Sequence, residues 1–164
     1  DVKESFYLGV EAIGPNQWPD EALVQGFRAA CNAYSAAMLG LSLRLMRLYE
    51  RALGLPAGYF DAVMRHPTCT TRLLHYPPQP ADAALGQIGC GAHTDWGALT
   101  LLAQDDAGGL QVQDADGRWF DVAPMPGALV VNTGNANAGT GEEGLRVTHV
   151  SLGVGEPRYL GRRI

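Results

Sequence analysis

The sequence predicts a mainly β fold, either a sandwich or a jelly roll, with a long amphipathic helix in front of it and packed on one sheet. Apolar residues recur at three- and four-residue steps between Leu23 and Leu48, which is typical of a helix with one buried face. After Pro67 the apolar runs become short and β-branched residues appear among them. Glycine, proline and Asp-Gly turns separate these runs, which indicates a series of short strands.

The helical part is expected to occupy residues 1–66. Asp20 is the predicted N-cap of the long helix, and Gly54 and Pro56 are its predicted end. Residues 57–64 are typical of one further short helix. Residues 1–19 are expected to be irregular, because glycine and proline interrupt any periodic pattern there.

The β part is expected to occupy residues 67–164 and to contain about eight strands. Turn residues at 106–109, 116–117 and 126–127 divide the apolar runs. The predicted strands are 70–76, 88–96, 98–104, 110–113, 118–122, 128–132, 145–152 and 158–160.

Size and composition indicate one globular domain over residues 1–164. The chain has 164 residues, of which 46% are hydrophobic and 18% are charged, so it can bury a core. Its formal net charge of -5 gives no electrostatic reason to bind nucleic acid or anionic membranes, which need clustered Lys and Arg. We therefore expect the partner to be a small molecule, and we expect no nucleic-acid or membrane partner.

Two further features indicate a soluble protein of the cytoplasm. The most apolar helical stretch is short and contains Arg44 and Arg47, so it is not expected to cross a bilayer. The three cysteines, an odd number without regular spacing, indicate a reducing compartment.

Three residues form a candidate metal site. His93 and Asp95 lie two apart in a predicted strand, so strand alternation places them on one face. His149 lies in a later predicted strand and supplies a second imidazole. Two histidines and one carboxylate leave three positions open on an iron ion, as binding of a cosubstrate and dioxygen requires. Zinc is the alternative, with Cys90 as a further ligand, although strand alternation predicts that this thiol faces away from His93.

Arg158 is a candidate for binding the cosubstrate. A 2-oxoacid has a distant carboxylate, and a guanidinium matches its geometry in a bidentate contact. Arg158 follows His149 after a turn that contains Gly153, Gly155 and Pro157. Spacing alone leaves an exposed strand arginine as an equal alternative.

Four sequence blocks resemble a known family in their order along the chain. They are GPNQWP (14–19), RLLHYPPQP (72–80), AHTDWGALTLLAQDDAGGLQV (92–112) and GRWFDVAPMPGALVVNTGN (117–135). On these blocks the chain resembles the isopenicillin N synthase-like superfamily of Fe(II)/2-oxoglutarate dioxygenases. The similarity extends over nearly the whole sequence.

The resemblance implies a double-stranded β-helix, that is, a distorted jelly roll. It also implies Fe(II) on His93, Asp95 and His149, and 2-oxoglutarate held by Arg158 with Tyr76. The implied reaction uses dioxygen, with ascorbate as an optional reductant, to oxidise a small organic metabolite and release succinate and carbon dioxide. Members of this family tend to be longer, so N-terminal or loop segments are expected to be lacking here.

Two alternatives remain open at this point. Leu160 stands where the family usually has serine, and it cannot donate a hydrogen bond to a carboxylate. This keeps open an iron oxidase on the same scaffold that does not use 2-oxoglutarate. The glycine-rich segment before His149 departs from the family pattern, which favours a catalytically silent jelly-roll domain.

Other polar and aromatic residues are interpreted as structural. His66 and His75 share no evident face with the three candidate ligands, and Trp96 is more typical of core packing. The pattern does not identify the substrate, the type of oxidation or the oligomeric state.

Overall fold

The computed structural model describes residues 2–9, 14–78, 88–95 and 98–134, together with the strand paths of residues 148–155 and 162–163. In these residues the chain forms two helices and eight strands. In order they are β1 (Glu4–Gly9), α1 (Phe27–Ala52), α2 (Asp61–Met64), β2 (Cys69–Tyr76), β3 (Thr100–Gln104), β4 (Leu110–Gln113), β5 (Trp119–Asp121), β6 (Val130–Asn132), β7 (Thr148–Gly155) and β8 (Arg162–Arg163). No helix in this part of the chain is long and apolar enough to span a membrane.

The strands form two sheets. The larger sheet has the order β1-β2-β7-β3-β6, and the smaller sheet has the order β5-β4-β8. In the larger sheet β7 is parallel to both of its neighbours, β2 and β3, whereas β1 with β2 and β3 with β6 are antiparallel. Apart from β1, the helices precede the strands, as the sequence predicts.

The start of the long helix differs from the prediction. α1 begins at Phe27, after Gly26 at φ 76, and not directly after Asp20. Asp20 instead caps a separate turn, because its Oδ1 accepts a hydrogen bond from the Ala22 amide at 2.9 Å. The left-handed backbone at Gly26 separates this turn from the helix, and glycine adopts it without steric cost.

The apolar face of α1 packs on β3 and on the residue before it. Met46, Leu99 and Leu101 are the buried centre of this contact. Partly buried side chains surround them, and these are Tyr34, Met38, Leu41, Leu45, Tyr49, Phe60 and Met64. A hydrogen bond of 2.8 Å between the hydroxyls of Ser35 and Thr71 joins the same helix to β2. The helix α1 therefore covers one face of the larger sheet over β2 and β3.

A buried carboxylate closes the far end of α1. Glu50 accepts hydrogen bonds from the backbone amides of Gly58 and Phe60 at 3.1 and 3.0 Å, and from Arg47 at 3.1 Å. Arg47 also forms an ion pair with Asp61 at 2.5 Å. These bonds tie the helix to the turn that leads into α2.

The N-terminal region contains a strand that the sequence analysis did not predict. β1 pairs with β2 in antiparallel register from Glu4 opposite His75 onwards. At its end, the side-chain amide of Asn16 donates to the Gly9 carbonyl and accepts from the Gly9 amide. Three aromatic rings, those of Phe6, Trp18 and Phe27, pack together and attach this region to the start of α1.

The predicted strand at 88–96 is wrong over most of its described length. Cys90 forms an isolated bridge, and residues 91–95 have an irregular backbone. Glycines at 89 and 91 explain the difference, because they weaken an extended conformation. The predicted strand at 145–152 corresponds to β7, whereas residues 158–160 lie outside the described residues.

Candidate active site

The strand register brings three chemically relevant positions together. Thr100 in β3 pairs with Asn132 in β6 on one side and with His149 in β7 on the other. Leu99 and Leu101 pack against α1, so Thr100 between them belongs to the opposite face of the sheet. Asn132, which is directly opposite Thr100 in the register, belongs to this same face.

His93 and Asp95 have their polar atoms close together. His93 Nε2 lies 3.5 Å from Asp95 Oδ1, and the two side chains are 43% and 13% exposed. Two donor atoms at right angles around a metal with bonds of roughly 2.1 Å are about 3 Å apart. A small movement of either side chain would let both atoms contact one ion. The donor pair, an imidazole nitrogen and a carboxylate oxygen, suits Fe(II).

The second ring nitrogen of His93 is engaged by the backbone. Nδ1 lies 2.8 Å from the Gly91 carbonyl oxygen, which can only accept a hydrogen bond, so Nδ1 donates to it. This leaves Nε2 of the neutral ring free of its proton and able to bind a metal ion, an arrangement common among metal-binding histidines. The Asp95 carboxylate, followed by the Cys90 thiol, raises the pKa of His93 to about 10 when no metal is bound.

Asn132 holds the other oxygen of the carboxylate. Its Nδ2 donates a hydrogen bond to Asp95 Oδ2 at 2.5 Å. The amide nitrogen, and not the amide oxygen, must face Asp95, since an ionised carboxylate only accepts hydrogen bonds. Asp95 Oδ1 therefore faces His93 while Asp95 Oδ2 faces Asn132.

Cys90 does not face away from His93 as the strand pattern predicts. Its Sγ lies 3.7 Å from His93 Nδ1 and accepts a hydrogen bond from Lys3 Nζ at 3.3 Å. The hydrogen bond with His93 is the main cause that lowers the pKa of this thiol to about 7. Because Cys90 contacts Nδ1 and Asp95 faces Nε2, the thiol and the carboxylate are at different nitrogens of one ring. This geometry disfavours the zinc alternative in which both bind the same ion.

The third predicted ligand is placed only by its backbone. His149 in β7 pairs with Thr70 on one side and with Thr100 on the other. Among the described side chains no group of three or more His, Cys, Asp or Glu residues could hold a metal. The buried Thr100 hydroxyl also has no hydrogen-bond partner in that part of the structure. His149 as a metal ligand stays a prediction.

Of the two predicted cosubstrate residues, the structure describes Tyr76. Tyr76 is 2% exposed and ends β2. The preceding residue, His75, pairs with Glu4 at the start of β1. Arg158 lies outside the described residues.

The two remaining histidines, His66 and His75, are exposed. His75 forms an ion pair of 2.8 Å with Glu4. Trp96 lies outside the described residues.

Asn132, Gly91 and Lys3 are neighbours of the site that the sequence pattern does not predict. Asn132 is 37 residues from Asp95, and only the pairing of β6 with β3 brings the two together. Asn132 stands at the end of the predicted strand 128–132. This position indicates which face of the strand carries its side chain, but it does not indicate which residue that side chain contacts.

The family profile and the curated proteins that match this chain indicate the same family. The profile of the 2OG-Fe(II) oxygenase superfamily matches residues 67–151. A 2-oxoglutarate-Fe(II) type oxidoreductase of Aspergillus fumigatus is 40% identical over 155 residues, which cover 84% of this chain and 45% of that protein. The 2-oxoglutarate-dependent dioxygenase citB of Monascus ruber is 41% identical over 154 residues, which cover 82% of this chain and 47% of that protein. The chain thus spans about half the length of these curated relatives.

Solved structures agree with the sequence relatives. A full-length Neurospora crassa protein, solved in complex with alpha-KG and thymine, superposes with a TM-score of 0.77 and is 38% identical. The match covers 84% of this chain and 44% of the Neurospora protein. A C-terminally truncated apo form of the same protein matches with a TM-score of 0.68. Because the family profile covers more than half of the sequence, this chain belongs to the 2OG-Fe(II) oxygenase superfamily.

Proposed function

We propose that this chain is the catalytic part of a non-haem Fe(II)- and 2-oxoglutarate-dependent dioxygenase. It oxidises a C–H bond of a small organic molecule and releases succinate and carbon dioxide. The observation that carries the proposal is the approach of His93 Nε2 and Asp95 Oδ1 to 3.5 Å, with Nδ1 of the same histidine engaged by the Gly91 carbonyl. This geometry fits two adjacent ligands of a metal ion.

We assign His149 as the third ligand. Support comes from the strand register, in which His149 and Asn132 flank Thr100, while Asn132 binds Asp95. A triad of two imidazoles and one carboxylate on one side of the ion leaves the other side open for cosubstrate and dioxygen.

We assign the two sheets to a double-stranded β-helix, with α1 as a support on its outer surface. Support comes from the buried contact of α1 with Leu99 and Leu101 and from the position of the candidate ligands around the other face. In this arrangement the helix fixes β3 from outside. The inner side of the sheet remains available for ligands.

The cosubstrate is assigned to Arg158 and Tyr76. A guanidinium binds the distant carboxylate of 2-oxoglutarate through two parallel hydrogen bonds. The burial of Tyr76 at 2% exposure is suited to a hydroxyl that acts inside a closed site. Leu160 supplies no hydroxyl, so Arg158 carries more of the carboxylate binding in this chain.

The protein's own residues orient and protect the reaction centre. Bound Fe(II) supplies the activation of dioxygen together with 2-oxoglutarate. His93 presents Nε2 because Gly91 retains the proton on Nδ1, and Asp95 presents Oδ1 because Asn132 holds Oδ2. Loss of the His93 Nε2 proton accompanies metal binding, since only the neutral ring binds a metal ion.

Substrate selection is proposed at the level of chemical class. The matching Neurospora crassa protein was solved with thymine, a small heterocyclic compound. We propose that the substrate of this chain is also a small organic metabolite. Thymine, related nitrogen heterocycles and amino acids form a first panel, with succinate formation as the measurement.

Anaerobic titration with Fe(II) and 2-oxoglutarate tests the proposal. We expect a visible metal-to-ligand charge-transfer band in the wild-type chain and none after His93→Ala. The matched control is His66→Ala, which removes an exposed histidine that is not near Asp95 in sequence and should keep the band. Absence of the band in the wild-type chain would contradict the proposed function. Substrate turnover with dioxygen and ascorbate but without succinate would instead identify the oxidase alternative.

A further inference from the structure

The hydrogen bond between Asn132 and Asp95 points to a role that the metal ligands alone do not explain. Asn132 Nδ2 donates to Asp95 Oδ2 at 2.5 Å, while Asp95 Oδ1 is the oxygen near His93. The two oxygens of one carboxylate are thus used by different partners. A hydrogen bond to an ionised carboxylate is shorter and stronger than one between neutral groups.

We infer that Asn132 is a positioning residue that makes Asp95 bind the metal through one oxygen only. This inference rests on the proposed metal site. A carboxylate can bind a metal ion through one oxygen or through both. If both oxygens of Asp95 bound, they would fill one of the open positions that 2-oxoglutarate and dioxygen need. The Asn132 amide prevents this by holding Oδ2.

The chemistry of the amide suits this role better than that of a charged residue. An amide N–H fixes the direction of the carboxylate without placing a positive charge beside the metal. A lysine or arginine at the same position would compete with the metal for Asp95 by charge. Asn132 therefore orients Asp95 and leaves its negative charge for the ion.

The strand that carries Asn132 is well placed to hold it. Asn132 pairs with Thr100 in the register of β6 with β3, and Leu101 beside Thr100 is completely buried under α1. The helix holds β3 in place, and the backbone pairing of β3 with β6 in turn holds Asn132. Val131, the preceding residue, lies on the other face of β6 and is 46% exposed.

The test compares Asn132→Leu, which has nearly the same shape but no donor, with Asn132→Ala and the matched control Val131→Ala. Co(II) binding to the full chain is followed by its visible absorption, and melting is measured without metal. Loss of an outer partner of a metal ligand typically weakens metal binding by about 10- to 100-fold. We expect this loss in both Asn132 variants and less than a twofold change in Val131→Ala.

A second measurement tests whether the coordination positions that 2-oxoglutarate needs on the metal remain open. With Fe(II) at saturating concentration and no oxygen, the 2-oxoglutarate charge-transfer band should form in the wild-type chain and in Val131→Ala. It should need a higher 2-oxoglutarate concentration in the Asn132 variants. A residue with a merely structural role would lower the melting temperature without changing either binding measurement.

The outcomes separate the two proposals. If the wild-type chain binds Co(II) and both Asn132 variants bind it with an affinity within twofold of wild type, the positioning role is wrong and the proposed metal site stands. If the wild-type chain itself does not bind the metal, the proposed function is wrong and the role of Asn132 is wrong with it. Asn132→Ala decides the question if Asn132→Leu fails to fold, because alanine only shortens the side chain.

Discussion

Truncation of Leu101 to alanine should strongly destabilise the chain, because this side chain is part of the buried contact between the sheet and α1. Leu101 is 0% exposed and packs with Met46 and Leu99. Leu→Ala in such a core removes apolar contacts and leaves a cavity, which together cost about 3–5 kcal/mol. Small domains have total stabilities of roughly 5–15 kcal/mol, so the loss is a large fraction.

Urea unfolding measures this loss directly. The three tryptophans, at positions 18, 96 and 119, report unfolding by fluorescence. The midpoint of Leu101→Ala should fall while the slope of the transition stays unchanged. A thermal scan should show a melting temperature lower by on the order of 10 °C.

Val131→Ala is the matched control in the next strand. Val131 pairs directly with Leu101 in the register of β3 with β6, but it is 46% exposed. Its truncation should change the free energy of unfolding by less than about 1 kcal/mol. Equal losses in the two variants, or a loss below about 1 kcal/mol for Leu101→Ala, would refute the packing of α1 on β3 as the main core contact.

Three further predictions concern titrating side chains. The pKa of Glu50 is lowered, chiefly by hydrogen bonding from the Phe60 amide, so Glu50→Gln should lower the melting temperature at neutral pH. This difference should shrink as the pH falls below the ordinary carboxylate pKa of 4.5, and a pH-independent difference would contradict it. The pKa of His93 is raised to about 10, so Co(II) affinity, measured by calorimetry, should increase about tenfold per pH unit from pH 7 to 9. An affinity that is constant above pH 7.5 would show that this proton is not displaced. The pKa of Cys90 is lowered to about 7 whereas burial raises that of Cys31, so iodoacetamide should modify Cys90 first at pH 7.5, as read by peptide mass spectrometry. Modification of Cys31 at the same rate would contradict the assigned environments.

Local patterns predicted some elements well and others poorly. The end of α1 follows from Gly54, which has φ 65 and donates to the Arg51 carbonyl at 3.2 Å. Its start was misplaced because Asp20 is a good capping residue for any turn, and the sequence does not distinguish a short turn from a helix. β1 was missed because a strand at the edge of a sheet depends on its partner, here β2, more than on its own residues.

The prediction of the candidate site was likewise correct in one respect and wrong in another. The nearness of His93 and Asp95 was predicted from a regular strand, but residues 91–95 are irregular and the two side chains approach all the same. Residues that are two positions apart are so close in the chain that many backbone conformations can bring their side chains together. The predicted proximity therefore did not depend on a regular strand.

By itself, the sequence determined the order of a helical part before the strands, the family of the chain and the pairing of His93 with Asp95. These depend on residue types at short spacing, which local backbone geometry converts into contacts. Only the tertiary structure decided that Asn132 holds Asp95, that Cys90 contacts the far nitrogen of His93 and that Lys3 reaches Cys90. The contacts made by Asn132 and Lys3 join residues far apart in the chain, and they arise from strand register and from the packing of α1 on β3. The contact of Cys90 arises from the irregular backbone that glycine allows. The hydrophobic pattern of a strand shows which of its faces is buried, but it does not show which other strand pairs with it or where the backbone becomes irregular.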